Sequence, residues 1–360
     1  MRLIVAGGGT GGHLFPALAI AETLKADFPS SEVLFVGTKR GIEARLIPQT
    51  RFPIKFVSAR GIMRTGIINS IRAGMEIPVG IIQSFKIINE FKPDFVLGVG
   101  GYASAPTLIA ALILNVETGI QEQNSVMGTA NRMLSKFVNK IFVSWENTLP
   151  ITPPEKTFVV GNPVRPDLFK IRSNQDKTEK FKILIFGGSK GANSINLGVT
   201  EHLDKLGGMA SKIKIVHQTG ADLIVEVQKA YEQAGIEADV QEFITDMGTY
   251  YKWADLVVCR AGASSLAEIT ATGKPAIVIP FPFAAGDHQT KNALWLEGHK
   301  AVRMVQDSEL KDGVLISRIL ELIENPSEIK VMAENAARLG KPGAARAIVN
   351  EILKNQRLAA

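Results

Sequence analysis

With 360 residues, the chain exceeds the roughly 250–300 residues at which a single hydrophobic core stops growing, so two domains are expected. Its 46% hydrophobic and 21% charged residues exclude intrinsic disorder, and a single cysteine, Cys259, excludes a disulfide framework or a multi-cysteine metal site. The net charge of +6 is unevenly placed: residues 1–162 hold 16 basic and 11 acidic side chains, residues 163–360 hold 25 and 24.

Leu3–Ala6 is an apolar run too short for a signal-peptide core and reads as a first strand; the expected compartment is the cytoplasm. Gly7-Gly8-Gly9-Thr10-Gly11-Gly12-His13 follows it directly and opens a helix that includes Pro16–Lys25. Glycines permit a tight turn and close approach of a ligand to backbone N–H groups, and a helix N-terminus favours an anion. Gly7, Gly9 and Gly12 also fit the dinucleotide pattern G-x-G-x-x-G, which wants an acid at the end of the second strand. That strand, Val33–Val36, instead runs into Gly37-Thr38-Lys39-Arg40. Only an NADP-type reading through Arg40 survives. Dinucleotide binding asks for no histidine at position 13. His13 reads either as a helix-start residue whose ring meets a local carbonyl, or as a base or hydroxyl acceptor.

Lys55–Val57 is the third strand-like run. The window 51–92 around and beyond it holds seven basic and two acidic residues. Inside it, Ile67, Ile68, Ile71, Met75, Val79, Ile82 and Phe85 recur at roughly helical spacing, with Pro78 breaking the run. Such a stripe is either a core face or, flanked by Arg60, Arg64, Arg72 and Lys86, a membrane-surface patch facing anionic lipid. The uncharged run Phe95–Val116 approaches the length of a membrane span. Its glycines, Pro106 and Asn115 make it instead a strand Phe95–Leu97, a glycine turn and a helix Leu108–Leu114. Ile141–Val143 is the last strand of this series.

Pro150, Pro153, Pro154, Pro163 and Pro166, followed by the charged stretch Lys170–Lys182, have linker composition. The series then restarts with Ile183–Phe186, Ile213–Val216, Val240–Phe243, Leu256–Val258 and Ala276–Ile279, with helices between. A second glycine loop, Gly187-Gly188-Ser189-Lys190-Gly191-Ala192, follows the first of these strands. The tail Ala344–Leu358 has helical periodicity and no strand after it. Alternation of this kind predicts an α/β protein of two doubly wound, Rossmann-like parallel-sheet domains, facing each other across a cleft, with ligands at the carboxyl ends of the strands. The expected domains are 1–162, joined by the C-terminal helix at about 344–360, and 163–343. The five histidines, at 13, 202, 217, 288 and 299, make no H-x-x-x-H pair, so no structural metal is expected.

Six motifs in order carry a resemblance. They are Gly8-Gly9-Thr10-Gly11-Gly12-His13 with Pro16-Ala17-Leu18-Ala19; Gly98-Val99-Gly100-Gly101-Tyr102; Glu122-Gln123-Asn124; Gly161-Asn162-Pro163-Val164-Arg165; the second glycine loop; and Cys259-Arg260-Ala261-Gly262-Ala263 followed by Asp287-His288-Gln289-Thr290-Lys291-Asn292-Ala293. Together they cover about residues 1–300, and the sequence resembles the MurG family of bacterial N-acetylglucosaminyltransferases. It departs from the family pattern at Gln121, where histidine is expected, at Lys190, where glutamine is common, and at Thr290.

The resemblance implies a GT-B fold. It implies inverting transfer of GlcNAc from UDP-GlcNAc to the C4 hydroxyl of MurNAc in the undecaprenyl-linked acceptor lipid I, giving lipid II for peptidoglycan. The N-terminal domain would take the acceptor and the C-terminal domain the donor. Arg165 and Ser189 would meet the diphosphate, and Glu268 the ribose hydroxyls, since a carboxylate can accept from both. The backbone at Ile244 would face uracil, and Gln289 and Asn124 would reach the sugar. Thr10, Gly11 and Gly12, and the segment Ala263, Ser264, Ser265, Leu266 and Ala267, complete the implied donor set. His13 is the expected base, with Glu122 as its rival. A lipid-linked acceptor favours the membrane reading of the apolar stripe, hence attachment to an anionic surface at the cytoplasmic face of the cell membrane, possible contact with other cell-wall synthesis proteins, and no nucleic acid. No cofactor or metal is expected, since no Asp-x-Asp motif lies near a strand end. The competing readings are an NADP-dependent oxidoreductase and a non-catalytic sugar-nucleotide-binding protein.

Overall fold

The computed structural model describes residues 1–59, 67–146, 148, 153–171, 180–188 and 191–354, without the side chains of 67–75. It divides into two compact units, Met1–Val164 with Pro342–Ala360, and Arg165–Lys341.

The first unit is built on seven parallel strands: β1 (Arg2–Ala6), β2 (Glu32–Gly37), β3 (Ile54–Phe56), β4 (Phe95–Gly98), β5 (Glu117–Glu122), β6 (Lys140–Val143) and β7 (Thr157–Val159), in the order β3-β2-β1-β4-β5-β6-β7. Successive side chains of a strand point to opposite faces. Leu3 and Val5 accordingly join one buried cluster with Leu14, Ile20, Phe35 and Leu97, while Ile4 and Ala6 join another with Val36, Val96, Leu108 and Ile120. A parallel sheet covered on both faces needs apolar residues at nearly every position, which is why β1 and β2 are apolar after the charged residues that open them, Arg2 and Glu32, and β4 is apolar throughout. The helix Ala344–Lys354 completes the first cluster through Ile348, Val349 and Ile352 against the helix Gly11–Asp27. Arg346 donates to both carboxylate oxygens of Asp27, at 2.8 and 3.0 Å.

The second unit holds six parallel strands: β8 (Phe181–Phe186), β9 (Ile213–Gln218), β10 (Glu237–Gln241), β11 (Leu256–Arg260), β12 (Ala276–Ile279) and β13 (Val302–Met304), in the order β10-β9-β8-β11-β12-β13. In each sheet the strand order reverses beside the first strand of the unit, between β1 and β4 and between β8 and β11, and ligands of such folds bind at that switch point. The loops after β1 and after β8 are the two glycine loops.

Several elements differ from the sequence expectation. β5, Glu-Thr-Gly-Ile-Gln-Glu, is buried but has little apolar content, and the short edge strands β7 and β13 leave a weak pattern. The third strand of the second series ends at Gln241 rather than Phe243, because β10 is an edge strand whose residues are only partly covered. Pro78 does not break its run: it lies inside one continuous helix, Ile67–Phe91, since a proline forfeits one hydrogen bond of many. Phe95–Gly98 and Ser104–Ile113 are a strand and a helix joined by the glycine turn. No helix among the described residues is long and apolar enough to cross a membrane.

A buried polar chain sits inside the second core. The amide oxygen of Asn196 can only accept, so His217 donates from Nε2 to it, at 3.1 Å, and its Nδ1 accepts from the Tyr231 hydroxyl at 2.9 Å. Asn196 donates onward to the Thr219 carbonyl at 3.0 Å. Burial lowers the His217 imidazole to about 3, so the folded protein holds it neutral. Between about 6.5 and 3 the unfolded chain binds a proton that the folded one refuses, and stability rises with pH there, by up to about 1.4 kcal/mol per pH unit. His217→Gln should therefore flatten the fall in thermal midpoint between pH 6.5 and 4.5 relative to the parent protein. Parallel pH profiles for the two proteins in scanning calorimetry would refute this.

Candidate active site

The loop after β1 is shaped by contact between two backbones. Gly8 N–H donates to the Gly100 carbonyl at 3.1 Å and Gly7 N–H to the Val36 carbonyl at 2.9 Å. A Cβ at Gly7 would lie 2.2 Å from the Gly100 oxygen, and one at Gly101 2.3 Å from the Gly8 oxygen. Only glycine fits at either place. Thr10 then starts the helix in extended conformation, with Gly11 and Gly12 as its first two residues and His13 its third. The first N–H groups of a helix have no intrahelical acceptor.

His13 Nδ1 lies 3.0 Å from the Gly8 carbonyl and 3.4 Å from Thr10 Oγ1. A carbonyl can only accept, so Nδ1 carries the hydrogen and the neutral ring keeps its lone pair on Nε2. A side chain at Gly100 would fall 2.9 Å from that nitrogen. Glycine there keeps the space beside Nε2 clear of a side chain. Both readings of His13 left open by the sequence are thus compatible: the local carbonyl satisfies one nitrogen and thereby defines the other as the basic one.

Glu43 was not singled out by the sequence. Its buried carboxylate accepts from Gly9 N–H at 2.7 Å through one oxygen, and from Thr38 N–H at 2.8 Å and Thr38 Oγ1 at 3.0 Å through the other. This is an acid shortly after the second strand, where a dinucleotide enzyme would hold a ribose. Its lone pairs are committed to Gly9 N–H and to Thr38 N–H and Oγ1 instead, so it does not stand in for a ribose acid. The signal available was an acid two residues after Gly41, shortly beyond the second strand.

Glu122, at the end of β5, is also buried and saturated. Asn124 N and Nδ2 reach one oxygen at 3.1 and 3.2 Å, and Gly128 N and Asn131 Nδ2 the other at 3.0 and 2.9 Å. Through two of these bonds Glu122 orients Asn124. Gln123 donates to the Val99 carbonyl at 2.8 Å and to Gln121, and Gln121 donates to Asn162 Oδ1 at 3.2 Å. The departure from the family pattern at Gln121 thus sits in a buried amide chain.

In the second unit, Ser189 and Lys190 lie outside the described residues. The rest of their loop is held by Gln218, which donates to the Gly188 carbonyl at 2.7 Å and accepts from Ile244 N–H at 3.0 Å. Gly191 has φ +75°, and a Cβ there would lie 1.9 Å from the Thr219 oxygen. Gln218 is a site residue the sequence reading missed; its signal was the polar run His217-Gln218-Thr219 closing an apolar strand. One side chain thereby fixes the second glycine loop and the backbone at Ile244.

The helix Ala263–Thr272 starts at the extended residue Gly262, with Ser264 and Ser265 in its first turn and Leu266 N–H bonded back to the Gly262 carbonyl at 3.0 Å. Glu268 lies one turn on and accepts from Tyr251 Oη at 2.9 Å. The Tyr251 ring packs edge-on against Phe186, the residue before the glycine loop. Burial raises the Glu268 carboxyl to about 7, offset in part by the Tyr251 hydroxyl and the Arg165 charge. Arg165 is half exposed and pairs loosely with Asp167 at 3.8 Å. Gln289 Oε1 accepts from Phe281 N–H at 3.0 Å. Phe281 lies beneath the Arg260 guanidinium, which donates to Ser194 Oγ at 2.6 Å and pairs with Asp307 at 2.6 Å. Among the described residues no cluster of three His, Cys, Asp or Glu could hold a metal.

Of the apolar stripe, Ile67, Ile68, Ile71 and Met75, like Arg60, Arg64 and Arg72, have side chains outside the described residues. Val79 and Ile82 are exposed, whereas Phe85 is partly buried and packs against the core with Ile81. The sequence missed exposed Ile113, Met133 and Phe137 on neighbouring segments, interleaved with Arg132 and Lys136. The helices Ile67–Phe91, Ser104–Ile113 and Thr129–Leu134 pack in succession.

The raised Glu268 carboxyl sets a sign for ligand binding. Sugar-nucleotide hydroxyls donate, so they bind the carboxylate, and binding should release a proton when the free carboxyl titrates near 7. Affinity for UDP-GlcNAc, whose diphosphate diester does not titrate in this range, should rise about tenfold from pH 6 to pH 8. Glu268→Gln should abolish the rise. A flat pH profile of the unmodified protein in titration calorimetry would remove Glu268 from the donor site.

Two profiles match the chain: the glycosyltransferase family 28 N-terminal domain over residues 3–143 and the glycosyltransferase family 28 C-terminal domain over residues 182–348. The chain is 45% identical over 361 residues to the UDP-N-acetylglucosamine–N-acetylmuramyl-(pentapeptide) pyrophosphoryl-undecaprenol N-acetylglucosamine transferase of Geobacter sulfurreducens, covering 99% of both. It is 43% identical over 352 residues to the Myxococcus xanthus protein of the same name, covering 97% of this chain and 92% of that one. The crystal structure of Acinetobacter baumannii MurG is similar, with a TM-score of 0.79 at 30% identity, over 98% of this chain and 99% of that one.

Proposed function

This chain belongs to glycosyltransferase family 28, and on that premise we propose that it transfers GlcNAc from UDP-GlcNAc to the C4 hydroxyl of MurNAc in N-acetylmuramyl-(pentapeptide) pyrophosphoryl-undecaprenol. The product is lipid II, and the reaction inverts the anomeric carbon. The observation that carries the mechanism is the hydrogen bond from His13 Nδ1 to the Gly8 carbonyl. It supports Nε2 as the base that takes the acceptor proton while the acceptor oxygen bonds to the anomeric carbon and the bond to UDP breaks.

The diphosphate that departs gains negative charge. Arg165, Ser189 and the N–H groups at the start of the helices Asn193–Thr200 and Ala263–Thr272 are assigned to that charge, with no metal called for by the scheme. Glu268 takes the ribose hydroxyls, the Ile244 backbone the uracil, and Gln289 and Asn124 the GlcNAc. Thr10, Gly11 and Gly12 are assigned to the donor from the first unit. A positioned acid–base group contributes typically 10²–10⁴-fold. His13→Ala should lower kcat by roughly that factor and leave UDP-GlcNAc affinity little changed, as read by steady-state turnover and calorimetry on one preparation. A loss of only a few-fold would reduce His13 to a loop-shaping residue.

The acceptor is lipid-linked, so the enzyme works at the membrane, at its cytoplasmic face in this reading. Ile82, Ile113, Met133 and Phe137, among basic residues, support an interfacial patch that dips apolar side chains below anionic headgroups. Changing Ile82, Met133 and Phe137 to Ser should weaken co-sedimentation with phosphatidylglycerol vesicles, and added salt should weaken the remainder. Unchanged vesicle binding would refute the patch; the UDP-GlcNAc affinity should stay as it was.

A further inference from the structure

The carboxyl edge of the first sheet carries a feature that the proposed mechanism does not use. A pocket of about 590 Å³ opens over the ends of β2 and β3, within the roughly 300–1,000 Å³ of small-ligand sites. Its wall includes Thr38, Lys39, Arg40, Phe56, Glu76 and Gln83. Two observations make it a built site. Gln83 Oε1 accepts from Ser58 N–H at 2.6 Å and fixes one side. Thr38, on the other, is held by the same Glu43 carboxylate that holds Gly9 in the His13 loop. The pocket and the base therefore share one anchor. Lys39 and Arg40 are exposed, and among the described residues neither is in an ion pair. The sequence offered Arg40 only for an NADP phosphate, and the chain belongs to a glycosyltransferase family instead.

We propose that this pocket receives the peptide moiety of the acceptor, with Lys39 and Arg40 on its carboxylates. The inference rests on the proposed activity. The muramyl sugar carries its peptide on the lactyl ether at C3, the carbon next to the reacting C4 hydroxyl, so the peptide leaves the reaction centre beside His13. Joined through its amino end, it keeps a free terminal carboxylate. Neighbouring strands are about 4.8 Å apart and an extended chain advances about 3.3 Å per residue. A pocket over β2 and β3 thus begins within about two or three peptide residues of the loop after β1. Phe56 and Val79 offer apolar surface for small side chains, and Glu76 gives the pocket one acidic group for N–H donors or an ammonium.

The test compares two acceptors, a pentapeptide-bearing lipid I analogue and the same molecule with its lactyl carboxyl capped as a methylamide. Lys39→Ala/Arg40→Ala should raise KM for the first about tenfold and leave KM for the second, KM for UDP-GlcNAc and kcat unchanged. An equal rise with both acceptors would assign the cations to the pyrophosphate or the membrane and overturn the proposal, as would no change with either. A turnover-independent measurement separates this from the activity itself: soluble N-acetylmuramyl-pentapeptide should shift the amide signals of Thr38 and Ser58 in the unmodified protein and not in the double variant. Absence of those shifts overturns the pocket; presence of the shifts without transfer would count against the activity alone.

Discussion

The first unit depends on one close approach of backbone to backbone. The loops after β1 and β4 touch at Gly7, Gly8, Gly100 and Gly101; a Cβ at Gly7 or Gly101 would occupy the space of a carbonyl oxygen, one at Gly8 that of the Glu43 carboxylate, and one at Gly100 that of the His13 ring. This contact brings the start of the helix Gly11–Asp27 to the switch point of the sheet. It also aims the Gly8 carbonyl at His13, so the same glycines that permit the turn decide which ring nitrogen is basic. A glycine loop alone would leave the histidine's tautomer undetermined.

Three carboxylates near the two switch points have different fates, and donor count explains the difference. Glu43 and Glu122 are buried among backbone and amide N–H groups that use their lone pairs, so each acts as a clamp on a loop. Glu268 meets a single hydroxyl, Tyr251, among the described residues. Burial without enough donors raises its pKa, and the missing donors are what a ribose can supply.

The second unit repeats the scheme with different parts. Gln218 ties the glycine loop to Ile244, and Arg260, Ser194 and Asp307 tie the following helix to the end of β11. Amide and guanidinium groups take the place of the glycine-on-glycine contact. Such polar groups, once buried, are costly unless satisfied, and their mutual satisfaction holds the loop.

Much of this was legible from the sequence. Alternating apolar runs and helical patterns determined two parallel-sheet domains, because a sheet buried on both faces must be apolar along each strand. The two glycine loops and His13 stood out because each follows a strand directly, whereas Glu268 and Arg165 came only from the family resemblance. What the sequence could not give was the partner of each polar group. Glu43 joins Thr38 to Gly9, and Gln218 joins Gly188 to Ile244, across separations that only folding closes. Phe85 and Ile82 share one apolar stripe, yet one turns to the core and the other to the surface, because the neighbouring helix covers only part of it. Periodicity records that a face is apolar; tertiary packing decides which part of it is buried.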